Sequence, residues 1–224
     1  MEKLNGKLIV IEGAVDGIGK STQYNLLKKY LLENGYEVYT HHFPSYNTNH
    51  GALVEEYLKG NLGNPSELSP YFVHALYAID RAFVYKNDIK PALDEGKVVL
   101  LDRYTTSSLM YQSSVIDDEK VKKEFIEFMA DYEYNKIGVK KPDNVIFLYS
   151  SFELAKKLRE NRESNEGIEK DIHEVDENYL RRVYDNSLFV AENQGFNKIN
   201  CEENNEMKSI ESIHNDIKKL ILGK

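Results

Sequence analysis

Short, nearly continuous apolar runs recur along the chain: "KLIVIE" (7–12) reads as an apolar strand, and "KVVLLD" (97–102) and "NVIFLY" (144–149) read as buried parallel strands. The more mixed "GYEVYTHHF" (35–43) resembles a further strand, and "FNKINC" (196–201) is a weaker fifth candidate. Between them apolar residues return every three or four positions, which predicts helices over 21–34, 52–58, 71–93, 118–136, 152–161, 176–192 and 207–220. Strands alternating with helices predict an α/β fold, a five-stranded parallel sheet with helices on both faces. Ligands of such sheets gather beyond the carboxyl ends of the strands, where Glu12, Phe43, Asp102 and Tyr149 lead into loops. In 71–93 the spacing of Phe72, Leu76, Ile79 and Phe83 predicts the buried stripe, with Tyr77 and Arg81 on a neighbouring face.

With 224 residues and no linker, a single domain spanning 1–224 is expected. The 37 acidic residues outnumber the 29 basic ones, so the overall basic footprint of a nucleic-acid binder is missing. Cys201 is the single cysteine, which rules out an internal disulfide. No long apolar segment or signal-like start stands out, so a cytoplasmic protein without membrane contact is expected.

The first strand runs into "EGAVDGIGKST" and then a helix, the setting of a phosphate-binding loop. Gly17 and Gly19 can bring bare backbone donors to a phosphate, Lys20 can reach the outer phosphates, and Ser21 can hold magnesium. The strict spacing puts its leading glycine at Ala14, whereas Gly13 stands one position too early. The excess lies upstream of Asp16, so a bulge outward at Ala14 or Val15 is expected.

Elsewhere, Tyr77 could stack on a base one helical turn from Arg81, although a ring at that spacing also reads as core and an arginine beside Asp80 as surface charge. Asp102 at a strand end can hold water on magnesium, and Arg103 can reach a phosphate. Thr106, Ser107 and Ser108 read as caps of a following short helix. His41 and His42 read as packing or a wet strand end, and His173 as part of a hinge, since no metal-ligand spacing surrounds them.

The ordered set "IEGAVDGIGKSTQ", "FPSY", "LYAIDRAF", "DRYTTSSLMYQ" and "DIHEVDENYLRRV" resembles the thymidylate kinase family over nearly the whole chain. The resemblance implies a P-loop kinase fold with a helical lid near 157–174, usually a homodimer, that moves the terminal phosphate of ATP to dTMP with Mg2+. It implies donor-nucleotide binding by Gly17, Ile18, Gly19, Lys20, Ser21 and Thr22, magnesium at Ser21 and Asp102, and catalytic roles for Asp16, Lys20, Arg103 and a lid base, for which Arg159, Arg162 and Lys170 are on offer and Arg162, directly before "ESNEG", is chosen. For the acceptor it implies phosphate binding by Arg81 and Arg103 and sugar contact from Asp16. Phe43 and Pro44 would shape the pocket, Tyr77 would stack on the base, Ser108 would touch the base, and Tyr111 would crowd the 2′ side of the sugar. Ser45 and Ile172 stand where relatives often carry arginine, and no arginine stands in the phosphate loop itself. Two other readings fit parts of the pattern: a deoxynucleoside kinase, and a nucleotide-responsive interaction protein without efficient transfer.

Overall fold

A computed structural model describes residues 4–64, 67–166, 172 and 176–223, with the side chains of 162–166 outside that description. Five parallel strands, β1 (Leu8–Gly13), β2 (Val38–His42), β3 (Val98–Asp102), β4 (Asn144–Tyr149) and β5 (Asn197–Asn200), lie in the order β2-β3-β1-β4-β5. Successive side chains of a strand point to opposite faces, so Ile9 and Ile11 of β1 enter one core while Leu8 and Val10 enter another. Leu27 and Leu31 of α1 (Lys20–Glu33) and the apolar faces of α8 (Glu177–Asn193) and α9 (Ile210–Leu222) close the first core. Val84, Ile89 and Ala92 close the second. Both faces are therefore covered, as a parallel sheet requires.

The helix expected over 71–93 is α3 (Pro70–Val84), a π-helical turn at Tyr85–Ile89, and α4 (Lys90–Asp94). Pro91 explains the widened turn, because its ring and missing N–H do not fit an uninterrupted α-helix. Helix α6 (Glu119–Ala130), capped by Asp118 accepting from the Val121 amide, widens likewise over Asp131–Ile137. Helix α2 (Ala52–Leu58) matches its expected span, and α5 (Thr105–Gln112) is the short helix after β3. Helix α7 (Phe152–Glu166) runs beyond its expected end. Helix α9 begins at Ile210 because Met207 pairs with Glu202 in a small hairpin, which the sequence pattern did not reveal.

The stripe expected to be buried on α3 is mostly exposed. Leu76 is 7% exposed, but Phe72, Ile79 and Phe83 are 46%, 54% and 52% exposed. Val73, Ala78 and Val84 supply the inward contacts instead. Residues 167–171 and 173–174 of the expected lid lie outside the described residues, Lys170 and His173 included. Within it Ile172 donates its amide to the Leu58 carbonyl at 3.1 Å and packs on Val54, Tyr57 and Leu58.

Candidate active site

The carboxyl ends of β1, β2 and β3 open into a cleft of about 260 Å³. At the end of β1 the extra residue turns inward. The Ala14 amide donates to the Leu148 carbonyl at 3.0 Å, extending the pairing with β4, and Ala14, Val15 and Ile18 are all core residues. The expected outward bulge is thus absent, and Ala14 avoids the left-handed conformation that alanine disfavours. A side chain at Gly13 would press on Ile18, and one at Gly17 would come within 3.1 Å of the Arg159 amide nitrogen, so the loop lies flat between the sheet and α7. Gly17 and Gly19 take φ of +96° and +81°, which turns the chain into α1 with its first amides open.

Lys20 is buried and ion-pairs with Asp102, whose other oxygen lies 3.0 Å from Nδ1 of His42. Burial opposes charge on Asp102, but the bond from His42 and the nearby Lys20 outweigh it and hold the carboxyl well below the usual range. His42 is therefore more than a wet strand end. Arg103 sits at φ +65°, a conformation that costs a non-glycine residue roughly 1–3 kcal/mol and that recurs at functional sites. From there its Nη2 reaches both oxygens of Asp16, at 2.6 and 2.8 Å, and its guanidinium lies 5.4 Å from the Tyr111 ring centre. Burial works against its charge, yet Asp16 secures it.

The expected caps have other work. Helix α5 starts at Thr105, and Tyr104 before it supplies no side-chain cap. Thr106 donates to Glu12 at 2.6 Å and Ser107 donates to it at 2.8 Å, while burial pushes the Glu12 carboxyl above its ordinary value. Ser108 accepts from Arg81 Nη2 at 2.9 Å. Arg81 itself is 1% exposed and paired in two-pronged fashion with buried Glu133, at 2.7 Å from Nε and 2.6 Å from Nη2. Asp80 is no surface charge either. It accepts from the Ser45 amide at 2.9 Å and lies 2.7 Å from His50, tying the "FPSY" loop to α3.

Asp16, Lys20, Ser21, Asp102 and Arg103 all line the cleft, as do Phe43, Pro44, Tyr77, Arg81, Ser108 and Tyr111. Gly17, Ile18, Gly19 and Thr22 do not line it; Ile18 faces the core, and Thr22 is exposed on the first turn of α1. The side chain of Arg162 lies outside the described residues, while Arg159, one turn earlier, is buried with its backbone against Gly17. Sequence reasoning missed His42, Tyr46, Tyr104 and Gln112 in the lining, and Glu133 behind it. His42 was within reach, adjoining Phe43 at a strand end. Glu133 gave no local signal, being 52 positions from Arg81.

Among the described residues no cluster of three or more His, Cys, Asp or Glu side chains could cage a metal. One carboxylate at the end of β3 and one hydroxyl at the start of α1 instead fit magnesium carried mainly by phosphate and water oxygens.

Residues 11–217 match the family model described as thymidylate kinase. A thymidylate kinase of Thermoanaerobacter sp. (strain X514) is 36% identical over 185 residues, 80% of this chain and 85% of that one. A probable thymidylate kinase of Thermococcus gammatolerans is 34% identical over 220 residues, 96% of each. Thymidylate kinase of Plasmodium falciparum is 32% identical over 218 residues, 97% of this chain and 90% of that one. Among solved structures, thymidylate kinase from Candida albicans superposes with a TM-score of 0.73 over 98% of this chain and 92% of that one. At 24% identity this likeness speaks for the fold alone.

Proposed function

The chain belongs to the thymidylate kinase family, and on that premise we propose how its residues divide the work of moving a phosphoryl group. The protein is an ATP- and magnesium-dependent phosphotransferase that converts dTMP to dTDP and leaves ADP. Such a transfer requires two anions held in line with their charge neutralised. The observation that carries the residue assignment is the meeting, in one cleft, of the phosphate loop with Asp102, the Arg103–Asp16 pair and the rings of Tyr77 and Tyr111.

In this reading the amides of Gly17, Ile18, Gly19, Lys20, Ser21 and Thr22 cradle the donor phosphates, and Lys20 exchanges Asp102 for their outer oxygens. Ser21 and, through water, Asp102 hold the magnesium ion, which when bound screens charge between donor and acceptor. Arg103 holds the acceptor phosphate, already ionised near neutral pH, and Asp16 orients Arg103 and the sugar. Tyr111 packs beside the sugar, where an added 2′-hydroxyl would lose its hydrogen bonds. Tyr77 stacks on the base, Phe43 and Pro44 wall the pocket, and Ser108 touches the base edge.

Two assignments are adjusted by geometry. Arg81, its charge matched by Glu133 and its guanidinium 6.0 Å from the Tyr77 ring centre, is better suited to a base than to a phosphate. Arg159, packed at Gly17, supports a lid contribution nearer the loop than Arg162. The exposed Phe72, Ile79 and Phe83 support a homodimer formed through α3, since apolar side chains clustered on one face favour a partner. No described helix is long and apolar enough to cross a membrane. A crystal structure with a non-hydrolysable ATP analogue and dTMP tests the assignment. Lys20 on the outer phosphates, Arg103 on the acceptor phosphate and Tyr77 on thymine are expected; loop amides turned away from the nucleotide would refute it.

A further inference from the structure

Arg81 is 1% exposed at the wall of the cleft, where an unmatched guanidinium would be strongly disfavoured. Glu133, from the widened turn after α6, spans its Nε and Nη2 at 2.7 and 2.6 Å, and Ser108 accepts a further Nη2 hydrogen bond at 2.9 Å. These contacts leave the hydrogens of Nη1 for the cleft. Glu133 itself is 1% exposed and does not line the cleft, so it cannot touch a bound nucleotide directly. Behind it, His74 Nε2 lies 3.7 Å from Oε1, but burial and the nearby Arg81 push the imidazole down to about 3, leaving it neutral. The negative charge of Glu133 therefore serves Arg81.

The geometry points to Glu133 as a positioning residue that cancels the charge of Arg81 and so fixes the direction in which the acceptor nucleotide binds. A monophosphate presents one anionic end and one uncharged ring. Arg103 lines the cleft together with Asp16, whose side chain is 30% exposed. Its charge is consequently open to a phosphate. Arg81 is matched by a carboxylate sealed in the interior, so it keeps its hydrogen-bond donors but not its pull on anions. Without Glu133 two cationic ends would compete for a single phosphate, and part of the bound acceptor would lie reversed. The inference rests on the acceptor assignment proposed above.

The test compares wild type with Glu133→Gln and Glu133→Asp, each first shown to be folded by circular dichroism. Initial rates are measured against dTMP and against ATP, with inorganic phosphate as inhibitor. Glu133→Gln is expected to raise KM for dTMP by about tenfold or more while KM for ATP stays put, and to tighten phosphate inhibition competitive with dTMP by a similar factor. Glu133→Asp keeps the charge and should keep phosphate inhibition at the wild-type level. Folded Glu133→Gln with unchanged dTMP KM and unchanged phosphate inhibition would overturn the role. So would equal loss of dTMP affinity in both variants with phosphate inhibition unmoved, which would mean packing alone. If Glu133→Gln does not fold, wild-type crystals soaked with inorganic phosphate decide instead: phosphate at Arg103 and not at Arg81 supports the role, and phosphate against Arg81 overturns it. Absence of dTMP turnover in the wild type would overturn the acceptor assignment together with this inference, whereas normal wild-type turnover with indifferent variants overturns only the part played by Glu133.

Discussion

Each of Lys20, Arg81 and Arg103 pairs with a carboxylate, and the three pairs differ in what a nucleotide can displace. Lys20→Ala should lower kcat by about 10²-fold or more, the scale of losing one charge-stabilising donor, with the ATP parameters moving before those of dTMP. Arg103→Ala should instead raise KM for dTMP by about tenfold or more and leave ATP binding nearly intact. Both variants should fold, since neither side chain belongs to the apolar cores. Steady-state kinetics against each substrate checks the split, and Arg103→Ala with unaltered dTMP kinetics would remove that residue from the acceptor site. The sequence singled out both members of the Lys20–Asp102 and Arg103–Asp16 pairs but only one member of the third. Lys20, Arg81 and Arg103 stand in ordered motifs, but Glu133 lies in an unremarkable helical pattern and meets Arg81 only through the packing of α3 beside the turn at 131–137.

At the scale of elements, the loop after β1 is one residue longer than the usual spacing, and the excess is built into the sheet and core. Deleting Ala14 should therefore cost about 1–3 kcal/mol in urea unfolding, the penalty of disturbing a buried hydrogen bond, rather than passing unnoticed as removal of an outward bulge would. Wild-type stability in that variant would show the loop to be slack. The three central strands were legible because buried parallel strands are continuously apolar, whereas the edge strands β2 and β5 are partly exposed and mixed in composition. The facing of α3 was not legible, because apolar residues occur all round it: Val73, Leu76 and Val84 point in while Phe72, Ile79 and Phe83 point out. A 3.6-residue period reveals a stripe but not what covers it. Ile79→Asp combined with Phe83→Asp should turn a dimer into a folded monomer in sedimentation equilibrium. A wild type already monomeric at micromolar concentration would refute the α3 interface.

For the whole molecule, stability should fall on acidification, with His74 as an identifiable contributor. Its ordinary value is 6.5, and in the fold burial and Arg81 lower it to about 3, so between these limits the unfolded chain takes up a proton that the folded chain refuses. Stability is complete above 6.5 and declines towards 3, at up to about 1.4 kcal/mol per pH unit. His74→Phe should flatten this decline, by about 2 kcal/mol at pH 5 relative to pH 7; identical acid limbs in urea titrations of the two proteins would show that His74 is not responsible. The same whole-molecule view joins sheet, loop and cleft into one expectation about chemistry, namely that an acceptor must bring its own phosphate to Arg103 and a deoxyribose to Tyr111. Product analysis after incubation with ATP and magnesium, using dTMP, thymidine and UMP as acceptors, tests it most directly. Rapid formation of dTDP with far slower reaction of thymidine and UMP is predicted; faster phosphorylation of thymidine, or binding of dTMP without any diphosphate product, would contradict it.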